Sequence, residues 1–126
     1  MKLIRTHKDL EVYQMSFDVV MEIFKISKHF PKEEKYSMTD QIRRRSRSVS
    51  TNIAEAFRKR RYPKAFIAKL SDAEGEAAET QGWLDFALSC KYISDEIHND
   101  LYDKYDHILG KIVNMIRSPE KWSLEN

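Results

Sequence analysis

An all-α four-helix bundle is predicted by three features of this chain: few helix breakers, their positions, and an apolar stripe in each segment between them. The 126 residues include three Gly and three Pro against 33% charged side chains, many of them good helix formers. Pro31, Pro63 and Pro119 mark joints or ends, and no glycine-rich, low-complexity or repeated tract suggests a linker. Short joints between helices of about 22–28 residues imply antiparallel neighbours in an up-down bundle. Residues 1–126 therefore read as one domain, large enough for a single core.

The first helix is predicted over about 8–29, ending before Pro31. The second spans about 37–60, opened by Ser37 and Asp40 as a capping-box-like pair. The third covers about 63–92, with Pro63 just inside its start. The fourth covers about 95–117, with Ser94 as N-cap and Asp95 and Glu96 on the positive end of the helix dipole.

At 100° per residue each helix carries a stripe suited to a core. The first offers Leu10, Tyr13, Phe17, Met21 and Phe24; the second Met38, Ile42, Val49, Ile53 and Phe57. The third offers Phe66, Leu70, Ala73, Ala77, Leu84 and Leu88, and the fourth Ile97, Leu101, Ile108, Ile112 and Met115.

Apolar residues also lie outside these stripes. Val12, Met15, Val19, Ile23 and Ile26 fall roughly opposite the first stripe, and Trp83, Phe86 and Cys90 fall outside the third. Burial of each large apolar side chain is worth ~1.5–3 kcal/mol, and a four-helix bundle has one inside. The expectation is that Val12, Met15, Val19, Ile23, Ile26, Trp83 and Phe86 form an interface between copies. The alternative cover is the N-terminal tail or the C-terminal segment, with Trp122 and Leu124. Cys90 is expected to be a small buried hydrophobe.

Charge is unevenly placed. Nine Lys or Arg lie between positions 43 and 64 (Arg43, Arg44, Arg45, Arg47, Arg58, Lys59, Arg60, Arg61 and Lys64) against Glu55, a local +8 in a chain of net +2. Such a concentration on an otherwise acidic body suits an anionic partner. On the second helix Gln41, Arg44, Ser48, Asn52 and Glu55 form a polar stripe at helical spacing, and the third presents Lys69, Asp72, Glu76 and Glu79. Arg44 is expected to pair with Glu76 or Glu79 as a structural link, because its planar fork binds carboxylates. Arg43, Arg47, Arg58, Lys59, Arg60, Arg61 and Lys64 remain as candidate phosphate contacts, with Tyr62 placed to stack on an unpaired base.

Signals for catalysis are missing. Gly75, Gly82 and Gly110 are isolated within helices, so no phosphate-cradling loop is seen. His7, His29, His98 and His107 lack paired metal spacing, and only Asp95-x-x-His98 approaches a di-iron motif. No enzyme activity, metal, cofactor or small-molecule substrate is expected. With one cysteine, no ~20-residue apolar run and no signal-peptide pattern in MKLIRTHKDLEV, a soluble cytoplasmic protein is expected.

KDLEVYQMSFDVV near the start, FPKEEKYSMTDQIRRRSRSVSTNIAEAF in the middle and AFIAKL into the third helix resemble the 23S rRNA-intervening-sequence protein family of bacterial four-helix bundles. The likeness covers roughly residues 9–88. It implies a left-handed up-down-up-down antiparallel bundle, assembly as a homopentamer, and binding of structured RNA or other nucleic acid. By the family pattern Gln41, Arg44, Ser48, Asn52 and Glu55 are signature residues. The chain departs from the pattern at Ala56, where the family usually has Gly, and at 58–61, where a looser Gly-containing turn is replaced by four cations. The predicted function is thus a non-enzymatic homo-oligomer gripping RNA at the joint of helices two and three. The alternative is a scaffold docking an acidic protein.

Overall fold

The structure is a computed structural model that describes residues 3–123. Its four helices are α1 (Glu11–Ser27), α2 (Met38–Arg58), α3 (Pro63–Ser89) and α4 (Asp95–Arg117). Single 3-10 turns occupy His7–Asp9, Lys32–Glu34 and Pro119–Lys121, and no strand occurs among the described residues. No helix among them is long and apolar enough to cross a membrane.

Helix ends follow local chemistry. Thr6 and Asp9 close a capping box on the first 3-10 turn, which delays α1 to Glu11. Ser94 caps α4 as predicted, its hydroxyl accepting from the Ile97 amide at 3.1 Å. Ser37 does not cap α2. Its hydroxyl instead donates to Glu34 at 2.6 Å, and the same carboxylate oxygen accepts from the Met38 amide at 3.4 Å. Glu34 also accepts from the Tyr92 hydroxyl at 2.9 Å, which ties the α1–α2 joint to the α3–α4 joint. The Ser37 and Tyr92 hydroxyls hold the Glu34 carboxyl below its ordinary range, while the Tyr92 phenol is pushed up to about 12.

Each helix meets its neighbours in order, and α1 also meets α4. Individual pairs fix the levels. Ser16 on α1 faces Ser50 on α2, and Arg45 on α2 reaches Glu76 and Glu79 on α3. Gln81 on α3 donates to Asp106 on α4, and Lys111 near the end of α4 pairs with Glu11 at the start of α1.

The predicted stripes of α2, α3 and α4 form most of the core, with Ile42, Val49, Ile53, Leu70, Leu84, Ile108 and Ile112 fully buried. Leu88 is half-buried and Ile97 is exposed. On α1 Leu10 is buried and Tyr13 packs against the core as predicted, but from Ser16 onward the inward face is the one expected outside. Val12, Val19 and Ile23 are buried in the chain's own core, and Met15 and Ile26 pack against it. Phe17 and Met21, expected inside, are 48% and 42% exposed. The reason lies in two serines. Ser16 and Ser27 share the stripe of Val12, Val19 and Ile23, and both are buried where α1 approaches α2. Small side chains permit that close approach, and their hydroxyls are satisfied by the Tyr13 and Phe24 carbonyls. A reading that counts serine as polar assigns this face to the outside.

Tyr105 supplies a stability prediction. It is fully buried on α4 and its hydroxyl has no hydrogen-bond partner among the described residues. Burial drives the phenol's pKa upward, against a smaller opposing effect of the nearby Thr80 hydroxyl, whose own proton goes to the Glu76 carbonyl. A buried hydroxyl without a partner opposes folding, so Tyr105→Phe is expected to stabilise the protein by about 1 kcal/mol, read as a higher melting temperature.

Candidate nucleic-acid interface

The predicted cationic patch divides in two. Positions 43, 47 and 58 share one face of α2, but a rise of 1.5 Å per residue puts Arg47 about 16 Å from Arg58 along the axis. Arg43 is anchored on α1: its Nε donates to the Ser27 hydroxyl at 2.8 Å and its guanidinium lies 4.9 Å from the Phe24 ring centre. Lys28 covers the same ring at 4.6 Å. Arg47, one turn beyond, is exposed and has no ion-pair partner among the described residues.

At the α2–α3 joint the cations take distinct roles. Arg60 folds back on α2, its guanidinium 3.8 Å from the centre of the Phe57 ring and donating to the Phe57 carbonyl at 2.8 Å. It thereby satisfies one of the orphan carbonyls at the helix end. Burial, then the neighbouring charges of Arg58 and Arg61, lower its pKa, the signature of a cation held among cations. Lys59 pairs with Glu55 at 3.5 Å, and Glu55 meets Lys69 of α3 at 2.8 Å. Arg58, Arg61 and Lys64 are exposed and enter none of the salt bridges found among the described residues. Tyr62 stands beside them, 61% exposed.

Folding adds cations from distant parts of the chain. The His7–Asp9 turn packs on α2 and the Pro119–Lys121 turn packs on α3. Given the helix pairings above, these turns lie at the bundle end that holds the α2–α3 joint. Lys8, Arg117 and Lys121 are exposed there, also outside the salt bridges found. Their separation in sequence from the joint hides this grouping from any linear count of charge.

The polar stripe is corrected at one residue. Arg45, not Arg44, links the helices, reaching Glu76 at 3.2 Å and Glu79 at 2.9 Å while donating to Gln41 at 3.2 Å. Arg44 pairs within its own helix with Asp40 at 3.2 Å. The 100° step between the two decides it, because α3 lies on the side of Arg45. Asn52 donates to the Ser48 carbonyl at 2.9 Å, so that pair also stays within α2.

Elsewhere, Trp83 is half-buried against the core while Phe86 is 59% exposed, the ring centres 5.6 Å apart. Trp122 lines a cavity of about 490 Å³ with Leu10 and Val12 at the start of α1, away from Phe17 and Met21; Leu124 lies outside the described residues. Cys90 is exposed just past the end of α3 rather than buried. Among the described residues no three His, Cys, Asp or Glu converge to hold a metal.

His98 on α4 contacts Asp85 on α3 at 2.7 Å. Burial pulls its pKa down, but the Asp85 and Asn99 hydrogen bonds and nearby acids outweigh this and raise it above 6.5. A raised folded-state pKa contributes stability that is complete below the unfolded value and is lost as pH rises through the folded one. Thermal unfolding is therefore expected to show Asp85→Asn destabilised more at pH 5.5 than at pH 8.5.

Residues 8–114 match the sequence pattern of the 23S rRNA-intervening sequence proteins. The chain belongs to this family. A similar solved structure is a protein of unknown function from the S23 ribosomal protein family of Bacteroides thetaiotaomicron. It is 29% identical, with a TM-score of 0.76 over 84% of this chain and 95% of that one. No curated protein matches. In this intervening-sequence protein the segment from Gln41 to Glu55 serves the α2–α3 seam through Arg45 and Glu55.

Proposed function

We propose that this intervening-sequence protein is a non-enzymatic, cytoplasmic homo-oligomer, a pentamer by the family resemblance, that binds structured RNA through the basic end of its bundle. The order of helix contacts supports an up-down-up-down arrangement, and its left-handed turn comes from the family resemblance. The observation that carries the function is the set of exposed cations free of salt bridges at one end: Arg58, Arg61 and Lys64, joined by Lys8, Arg117 and Lys121. Phosphates bind such clusters through counterion release, without sequence reading, and Tyr62 adds a surface for an unpaired base. Lys59 and Arg60 lend charge while holding the joint. Arg43 and Arg47 sit too far along α2 to share a phosphate with them. Oligomerisation multiplies the basic ends on one rim and so raises avidity.

The test is filter binding of the wild type and an Arg58→Glu, Arg61→Glu variant to a structured RNA at two salt concentrations. Equal affinity in both proteins would discard the RNA reading and leave the scaffold that docks an acidic protein.

A further inference from the structure

We infer that copies of this chain join by seating the outer face of α1 from one copy in a shallow channel along the outer face of α3 from the next. This rests on the homo-oligomer reading above and assigns its interface.

The first observation is the channel. The outward side of α3 carries Ala68, Ser71, Gly75, Ala78 and Gly82 at helical spacing, and all but Gly82 are exposed. Gly75 and Gly82 lie inside a helix, where glycine weakens the helix relative to alanine. Among the described residues nothing requires them, because a Cβ at either position would meet no atom within 4 Å. Glycine without an internal reason on an exposed helix face fits the close approach of a helix from outside.

The second observation is the complementary ridge. α1 exposes Phe17 and Met21, large apolar side chains that the chain's own core leaves out. Their levels match the channel. Ser16 faces Ser50, so Met21, five residues further along α1, stands level with Arg45, five residues back on α2. Arg45 in turn reaches Glu76 and Glu79. Met21 is therefore level with Ala78, and Phe17, one turn earlier, with Gly75.

Charge agrees with this seating at the end of the ridge beyond Met21. The α1 side carries Lys25 and Lys28, with Arg43 stacked beside Phe24, and none of these enters a salt bridge found among the described residues. Of the acids bordering the α3 channel, exposed Asp85, which also contacts His98, stands at the height of these cations, while Asp72 and half-buried Glu74 stand lower, near the level of exposed Asp18 on α1. Lys25 and Lys28 fall level with the stretch from Gly82 to Asp85.

α1 and α3 do not touch as neighbours in the bundle, so ridge and channel lie on different sides of the molecule. A contact between two unlike faces is heterologous and closes into a ring when the rotation allows. A rotation axis along the bundle keeps every copy at one height. Only then do the matched levels bring Met21 against Ala78, and the same geometry puts every basic end on one rim.

The experiment uses the full chain with Cys90→Ser. Met21→Cys and Ala78→Cys are combined, oxidised, and run on a denaturing gel without reductant, with each single-cysteine variant alongside. The expected result is a ladder of covalent multimers in the double variant only. Gly75→Leu, read by light scattering and circular dichroism, is expected to reduce the mass to that of one chain with helicity kept. An oligomeric wild type that gives no ladder, and whose Gly75→Leu variant keeps its mass, overturns this interface while sparing the homo-oligomer. A wild type with the mass of one chain overturns both.

Discussion

Val19→Asp is expected to abolish cooperative folding rather than to separate intact copies. Val19 is 2% exposed and belongs to the core that all four helices share. Removing its apolar side chain from that core forfeits about 1.5–3 kcal/mol. The carboxylate has no cation in that core to pair with, and burying it unpaired adds several kcal/mol or forces it to take up a proton. Together these approach the ~5–15 kcal/mol by which a domain of this kind is stable. Far-ultraviolet circular dichroism during a thermal scan should therefore show a lost or severely lowered transition. Had Val19 faced another copy, helicity would survive and only the mass would fall. Phe17→Asp, on the opposite side of α1, should give that second pattern. A folded Val19→Asp variant would mean that the α1 face is assigned the wrong way round.

The second large effect is expected at the basic end. Arg58→Glu with Arg61→Glu removes two exposed cations and adds two acids beside Tyr62 and Lys64. Each phosphate left without its cation should lower the slope of log affinity against log salt by about 0.7–0.9. In a ring the same change repeats in every copy. RNA affinity at low salt is expected to fall about tenfold or more, with the gap closing as salt rises. Helicity and mass should not change, since neither arginine enters a salt bridge or ring contact found among the described residues. Arg60→Glu is a different experiment, because Arg60 holds the end of α2 through Phe57.

Much of the architecture is legible in the chain. Prolines and caps divide it into four helices, and the stripes of α2 and α4 are unambiguous because each has one apolar side, while α3 keeps its stripe despite Trp83 and Phe86 outside it. The basic concentration is legible too, as is a polar seam between α2 and α3. The errors share a cause. A helical wheel reports spacing but not orientation, so it does not say which of two apolar sides of α1 turns inward. The same 100° uncertainty confuses Arg44 with Arg45. Cys90 and Ile97 depart from expectation near helix ends, where half a turn separates core from water.

Composition and periodicity alone determined that this is a helical chain with one core and a strongly cationic middle, because those follow from each segment's own chemistry. Only the tertiary structure decided that Ser16 and Ser27 belong inside while Phe17 and Met21 face out, since close packing against α2 rewards small side chains over large ones. It alone brought Lys8, Arg117 and Lys121 to the bundle end that holds Arg58 and Arg61, where their fields add by distance in space and not by position along the chain.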